Sequence, residues 1–160
     1  MVNNERKRPS WKKYFKKIVK NTSKRSVCPR LQVGCLLVKN KRIIAQGYNG
    51  YIKKCPHEPI ILNNHNIATI HAEQNALLDC ASRGVSCKNS IAYISHYPCF
   101  NCMKFLCTAG IKKIYYIDNY NNDSNVKIIS NLTNIKVKKI KNKKIDFKFF
   151  FLQKYTIYNI

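Results

Sequence analysis

Two short segments hold the residue types that bind a metal and move a proton. His71-Ala72-Glu73 comes first, and Pro98-Cys99-Phe100-Asn101-Cys102 begins 25 residues after Glu73. One imidazole and two thiolates supply three ligands for a tetrahedral zinc ion and leave its fourth position open to water. A zinc ion held only for stability would usually need a fourth protein ligand in that place. Glu73 stands two residues past His71, too near in the chain for that role but well placed for proton transfer. Zinc lowers the pKa of bound water to ~7 in enzyme sites, which makes hydroxide available at neutral pH. A C-x-x-C pair alone would serve redox or structural zinc chemistry equally well; the upstream histidine and glutamate point to catalysis.

The elements around these residues are suited to hold them. His71 to Arg83 is rich in good helix formers, and Gly84 can end that helix. Pro98 fits the first turn of a second helix that runs to about Ala109 and stops at Gly110. All three ligands then sit at helix starts, whose partial positive charge favours thiolate over thiol. Cys99 and Cys102 are three residues apart, on one side of a single turn.

Further out, Ser10 to Lys20 places Trp11, Tyr14, Phe15, Ile18 and Val19 on one helical stripe with lysines opposite. Leu31 to Val38 and Arg42 to Gly47 read as strands of a hairpin turning at Lys39-Asn40-Lys41. Residues 51–68 read as a loop or irregular insertion. Ser90 to Ser95 and Lys112 to Asp118 read as strands, Asn125 to Leu132 as a helix, and Ile135 to Ile140 as an edge strand. Two strands followed by repeated helix–strand units predict a mixed sheet with helices on both faces. Residues 1–140 then form one domain. Residues 141–160 are a basic, aromatic extension in which Phe147, Phe149 and Phe151 alternate with other residues and whose role is unassigned.

The chain has 160 residues, enough for one α/β domain and too few for two. No run approaches the ~20 apolar residues of a membrane span, and Met1 to Lys24 has no apolar signal core, so a cytoplasmic protein is expected. Eight cysteines are therefore read as free thiols and metal ligands, with Cys35, Cys80 and Cys107 as core residues. The formal charge is +23, of which residues 1–30 carry +10 and residues 121–160 carry +7. Such a surface would attract phosphates. However, 24 lysines, 19 asparagines and 20 isoleucines are also what AT-rich codons would generate.

The H-x-E…P-C-x-x-C pattern is the signature of zinc-dependent base deaminases. Three further groups narrow the likeness: Cys28-Pro29-Arg30 with Val33-Gly34, Gly47-Tyr48-Asn49-Gly50, and Thr69-Ile70 leading into His71-Ala72-Glu73-Gln74-Asn75-Ala76. With His96-Tyr97-Pro98-Cys99 and Ala109-Gly110-Ile111-Lys112, residues 9–140 resemble the deoxycytidylate (dCMP) deaminase family of the cytidine/deoxycytidylate deaminase superfamily. The type found in bacterial late-competence operons is most similar, sharing a segment like Ser10 to Phe15. The resemblance implies a cytidine deaminase-like three-layer α/β/α fold with a central mixed five-stranded sheet. It also implies zinc-dependent hydrolysis of dCMP to dUMP and ammonia, feeding thymidylate synthesis.

On the same resemblance His71, Cys99 and Cys102 hold the zinc and Glu73 shuttles protons. Asn49 would contact the nucleotide sugar, Ala72 would hold the base through its backbone, and Ser95 would line the pocket. Gly47-Tyr48-Asn49-Gly50 can equally be a simple turn, since Gly and Asn tolerate positive φ. A second, structural zinc would draw on Cys28, Cys55 and His65, with His57 as a weaker completing ligand. Asn66 and Ile60 depart from the pattern there, where relatives often have cysteine. Arg30, Tyr120, Lys53 and Lys54 are candidate phosphate contacts, while His96 reads as a supporting residue. The family implies a homo-oligomer with dCTP and dTTP as effectors. Two other readings stand beside this one: a deaminase of tRNA adenosine or single-stranded DNA cytosine, and an inactive DNA-binding competence accessory.

Overall fold

The computed structural model describes residues 7–63 and 65–141. The chain runs α1 (Trp11–Ser23), β1 (Gly34–Lys39), β2 (Arg42–Tyr48), β3 (Gly50–Tyr51), β4 (Ile61–Leu62), β5 (His65–Asn66) and β6 (Thr69–Ile70). It continues with α2 (Ala72–Ser82), β7 (Ile91–His96), α3 (Phe100–Thr108), β8 (Lys113–Asp118), α4 (Ser124–Leu132) and β9 (Lys136–Lys139). The main sheet has the order β2-β1-β7-β8-β9. β1 pairs antiparallel with both β2 and β7, whereas β7–β8 and β8–β9 are parallel. This is the expected mixed five-stranded sheet between helical layers.

Strand alternation sends side chains to two cores. On one face Leu36, Val38, Tyr93 and Tyr115 meet Phe15 and Val19 of α1. On the other Cys35, Leu37, Ile94 and Ile114 meet Ala72, Ala76, Met103, Leu106 and Val126 of α2, α3 and α4. Two glycines set how closely helices approach. A Cβ on Gly34 would stand 2.7 Å from the backbone of Val19 and Ser23 at the end of α1. A Cβ on Gly47 would overlap the Ala72 carbonyl and stand 2.5 Å from the Ala76 nitrogen. The first turn of α2 thus lies directly on β2.

Several boundaries differ from the sequence-based expectation. The hairpin turn is tighter than three residues: Lys39 pairs with Arg42, and Asn40 and Lys41 take φ of 50° and 62°, as a two-residue primed turn requires. β1 begins at Gly34 rather than Leu31, because Leu31 and Val33 bond to Asn49 instead of a strand. α1 runs to Ser23, a turn beyond Lys20, since Val19 and Thr22 continue its buried stripe. The 51–68 segment contains two small ladders, β3–β6 and β4–β5. Cys35 and Cys80 are core residues as expected, but Cys107 is only half-buried, 3.8 Å from the Thr133 hydroxyl. Phe147, Phe149 and Phe151 lie outside the described residues.

Candidate metal centre and active site

His71 and Cys99 are the N-cap residues of α2 and α3, each with extended backbone. In this position a side chain points along the helix axis toward unpaired backbone N–H groups. The Cys99 sulfur accepts from the Cys102 N–H at 3.5 Å, while the Gln74 side chain accepts from the His71 N–H at 3.0 Å. Caps of this kind fix both ligands before any metal arrives.

His71 Nδ1 lies 3.6 Å from Cys99 Sγ and 3.4 Å from Cys102 Sγ. The donor atoms of the three residues all fall within 4.8 Å of one another. In a tetrahedral centre with Zn–S of about 2.3 Å and Zn–N of about 2.0–2.1 Å, the N···S edge is about 3.5 Å. The donor set therefore fits zinc in chemistry and in spacing. Among the described residues it is the one such group of three or more donors, and no fourth side chain joins it.

The electrostatics agree with a centre built for a cation. Hydrogen bonding with the Cys102 thiol, and then with His71, holds Cys99 down at about 4, so it is a thiolate. The same bond with Cys99, together with burial, pushes Cys102 up and leaves the shared proton there. His71 is raised, first by its bond with Cys99. Glu73 is 4% exposed, and burial raises its carboxyl above the usual range. A carboxyl with a raised pKa is a better proton acceptor than an ordinary carboxylate and can return the proton it takes.

His71, Glu73 and Cys99, but not Cys102, line a cavity of about 700 Å³, within the range of small-molecule sites. Ala72, Asn49, Val33, Arg30, Cys28 and Tyr120 also line it. Lys53, Lys54 and Cys55 do not. Asn49 is already a structural clip: its oxygen accepts from the Val33 N–H at 2.8 Å and its amide donates to the Leu31 carbonyl at 2.9 Å.

Ser95 is 3% exposed and is not part of the cavity wall. Its hydroxyl accepts from the Gly34 N–H at 3.0 Å and lies 2.9 Å from His96 Nδ1. With the Gly34 N–H on one lone pair, the hydroxyl keeps a second lone pair and its proton, and either can meet Nδ1. Burial lowers the His96 pKa, which favours the neutral ring. His96 itself lines the cavity, as does Tyr97 beside Pro98. The sequence carried no signal for Tyr97 beyond its adjacency to the Pro-Cys segment. For the second zinc, Cys28 is half-buried on the cavity wall and Cys55 is exposed, while the side chain of His65 lies outside the described residues. His57 stacks on Tyr51 at 4.9 Å.

The three-layer α/β/α scaffold thus brings a His-Cys-Cys donor set, able to hold a metal ion, beside a buried carboxyl. Residues 9–118 match the family described as the cytidine and deoxycytidylate deaminase zinc-binding region. The chain belongs to that family.

The chain is 44% identical over 117 residues to ComE operon protein 2 of Bacillus subtilis, covering 71% of this chain and 62% of that protein. It is 35% identical over 136 residues to the deoxycytidylate deaminase of Schizosaccharomyces pombe, covering 78% and 42%. The chain thus spans less than two thirds of the length of these curated relatives. Among solved structures, the dCMP deaminase of cyanophage S-TIM5, in complex with dCMP and dUMP, superposes with a TM-score of 0.75 at 32% identity. That match covers 84% of this chain and 99% of the phage protein. No helix among the described residues is long and apolar enough to cross a membrane.

Proposed function

We propose that this protein hydrolyses dCMP to dUMP and ammonia. The observation that carries the reading is the tetrahedral-edge spacing of His71, Cys99 and Cys102 beside a buried Glu73, in a cavity large enough for a nucleotide. The similarity to a phage dCMP deaminase with dCMP and dUMP bound supports the choice of substrate.

His71, Cys99 and Cys102 would hold zinc, which when bound supplies Lewis-acid activation of water. Glu73 takes the proton of the water that attacks C4 of the cytosine ring and passes it to the ring nitrogen N3. It then takes the remaining proton from the new C4 hydroxyl and delivers it to the amine as C4=O forms and the C4–N bond breaks, so that dCMP and water become dUMP and ammonia. Asn49, fixed to residues 31–33, presents its remaining amide hydrogen to the sugar, and the Ala72 backbone holds the base. Ser95 acts through His96, whose ring it orients. Arg30 and Tyr120 face the phosphate.

Residues 1–140 make up the deaminase unit of a cytoplasmic enzyme in this reading, with 141–160 as an extension. An apolar groove between α2 and α3, with Leu78 and Phe105 half-exposed, supports a homo-oligomer. Control by dCTP and dTTP, and a second zinc at Cys28, Cys55 and His65, have only the family resemblance behind them.

The test is ammonia release by the zinc-loaded protein from dCMP, CMP, dCTP, cytidine, a tRNA and a cytosine-containing oligonucleotide. Turnover of dCMP well above the others is expected. Turnover of the tRNA or the oligonucleotide without dCMP would replace this reading with that of a polynucleotide deaminase.

A further inference from the structure

The end of the sheet remote from the cavity carries a second surface with its own chemistry. Gly34 pairs with Tyr48 at the open end of the β1–β2 hairpin, next to the cavity residues Val33 and Asn49. Lys39 and Arg42 close the other end, about 17 Å away at the usual rise of a strand. On the parallel strands His96 of the cavity is level with Asp118, whereas Ile91, at the far end, is level with Lys113.

At that far end cations stand side by side. Lys113 is in register with Lys136, and Tyr115 with Lys138. Tyr115 and Ile140 pack in the α1-side core while Val137 packs in the other, so Lys113, Lys136 and Lys138 share the α1 face of the sheet. Lys12 of α1 stands 5.1 Å from the centre of the Tyr115 ring and Lys113 stands 5.7 Å from it. Like charges abreast repel, and the arrangement is destabilising until an anion is shared between them.

Among the described residues no carboxylate is placed to neutralise them. Of the acids in the described residues, Glu73 lies in the cavity, Asp79 is bridged to Arg83 and Asp123 caps α4. Asp118 sits at the cavity end of β8, and Glu58 lies in the segment before β4.

Exposed aromatic rings stand among these cations. Trp11 is 48% and Tyr14 45% exposed, at the start of α1. Trp11 stacks inward on Phe15, and Lys41 of the hairpin turn lies 5.8 Å over its ring. Codon bias can raise the lysine content of a whole surface. It does not gather half-exposed rings among cations at one end of a sheet and leave the described carboxylates elsewhere.

We propose that this surface, formed by the first turn of α1, the β1–β2 turn and the starts of β8 and β9, binds single-stranded nucleic acid. Phosphates meet the clustered lysines, and unstacked bases supply planar faces for Trp11 and Tyr14, a combination that tracks single strands without reading sequence. A duplex hides those faces. An anionic bilayer would need an insertable apolar stripe, and that of α1 is spent on the sheet through Phe15 and Val19. The surface is separate from the deamination site, so the proposal does not depend on the identity of the substrate there.

Trp11 is the single tryptophan of the chain, and its emission reports on the surface directly. The full-length, zinc-loaded protein is titrated with a 20-nucleotide oligo(dT), an abasic strand of equal length and vesicles of phosphatidylglycerol in phosphatidylcholine. Saturable quenching by oligo(dT) is expected, with affinity falling at least ~10-fold between 50 and 200 mM salt. The abasic strand should bind about 10-fold more weakly, because it cannot stack. Tyr14→Ala, which keeps the reporter, should weaken oligo(dT) by a similar factor. Lys138→Glu and Lys41→Glu should weaken it and flatten the salt dependence without lowering the melting temperature. Absence of quenching, equal affinity for the abasic strand, or a blue shift with vesicles and none with oligo(dT) would each overturn the proposal.

Discussion

His71 Nδ1 and Cys102 Sγ approach to 3.4 Å although 31 residues separate them in the chain. The contact exists because α2 and α3 pack side by side on one face of the sheet with their N-termini at the same end. His71 belongs to the cap of one helix and Cys102 to the first turn of the other. Neither helix alone holds a complete ligand set.

Because Cys102 is buried against both His71 and Cys99, its loss cannot be made good by solvent. Cys102→Ser should lower zinc affinity by at least ~100-fold, more than loss of a supporting hydrogen bond would. It should also lower the melting temperature, since binding free energy is folding free energy at such a centre. Metal content after dialysis against a chelator, read together with a thermal melt, checks both.

Glu73 is outside the donor group, so its removal should leave the metal in place. Glu73→Gln should retain one zinc per chain and lose about 10²–10⁴-fold in kcat on dCMP. Normal ammonia release by the zinc-loaded variant would remove Glu73 from the mechanism.

Gly47 is the point at which α2 touches the sheet. In Gly47→Ala the new methyl group would overlap the Ala72 carbonyl, and the first turn of α2 must move away. Overpacking of this kind costs about 1–3 kcal/mol. Since the displaced turn carries His71, zinc affinity should fall with stability; a denaturant titration and a competitive zinc titration would follow the two. A variant that lost neither would show that the helix can shift freely.

Tyr93 lies between Phe15 and Tyr115 in the core under α1, with ring centroids 5.0 and 5.2 Å away. Burial first, and then the neighbouring Tyr115, push its hydroxyl up to about 12. The unfolded chain would ionise it near pH 10. The folded state therefore holds this proton more tightly, and the associated stability is complete below about pH 10 and lost as pH rises through about 12. Chemical denaturation across that window should show the loss, and Tyr93→Phe should flatten it. Absorbance at 295 nm would detect the delayed ionisation directly.

Local signals made much of the site legible. His71, Glu73, Cys99 and Cys102 are marked by residue type and by spacing within single helical turns, and those relations survive any arrangement of the rest of the chain. The strand and helix order followed from hydrophobic periods, which depend only on neighbours a few residues away. Tertiary structure decided what depends on partners far off in sequence. Ser95 and His96 look equivalent at a strand end, yet register with Gly34 buries the serine and leaves the imidazole on the cavity wall. Asn49 reads as a free amide in a turn, and pairing with residues 31–33 occupies one hydrogen-bonding position on each side of it. In the same way, no run of sequence announced that Lys113, Lys136 and Lys138 would stand together, because a parallel sheet brings abreast strands that are separated by a whole helix.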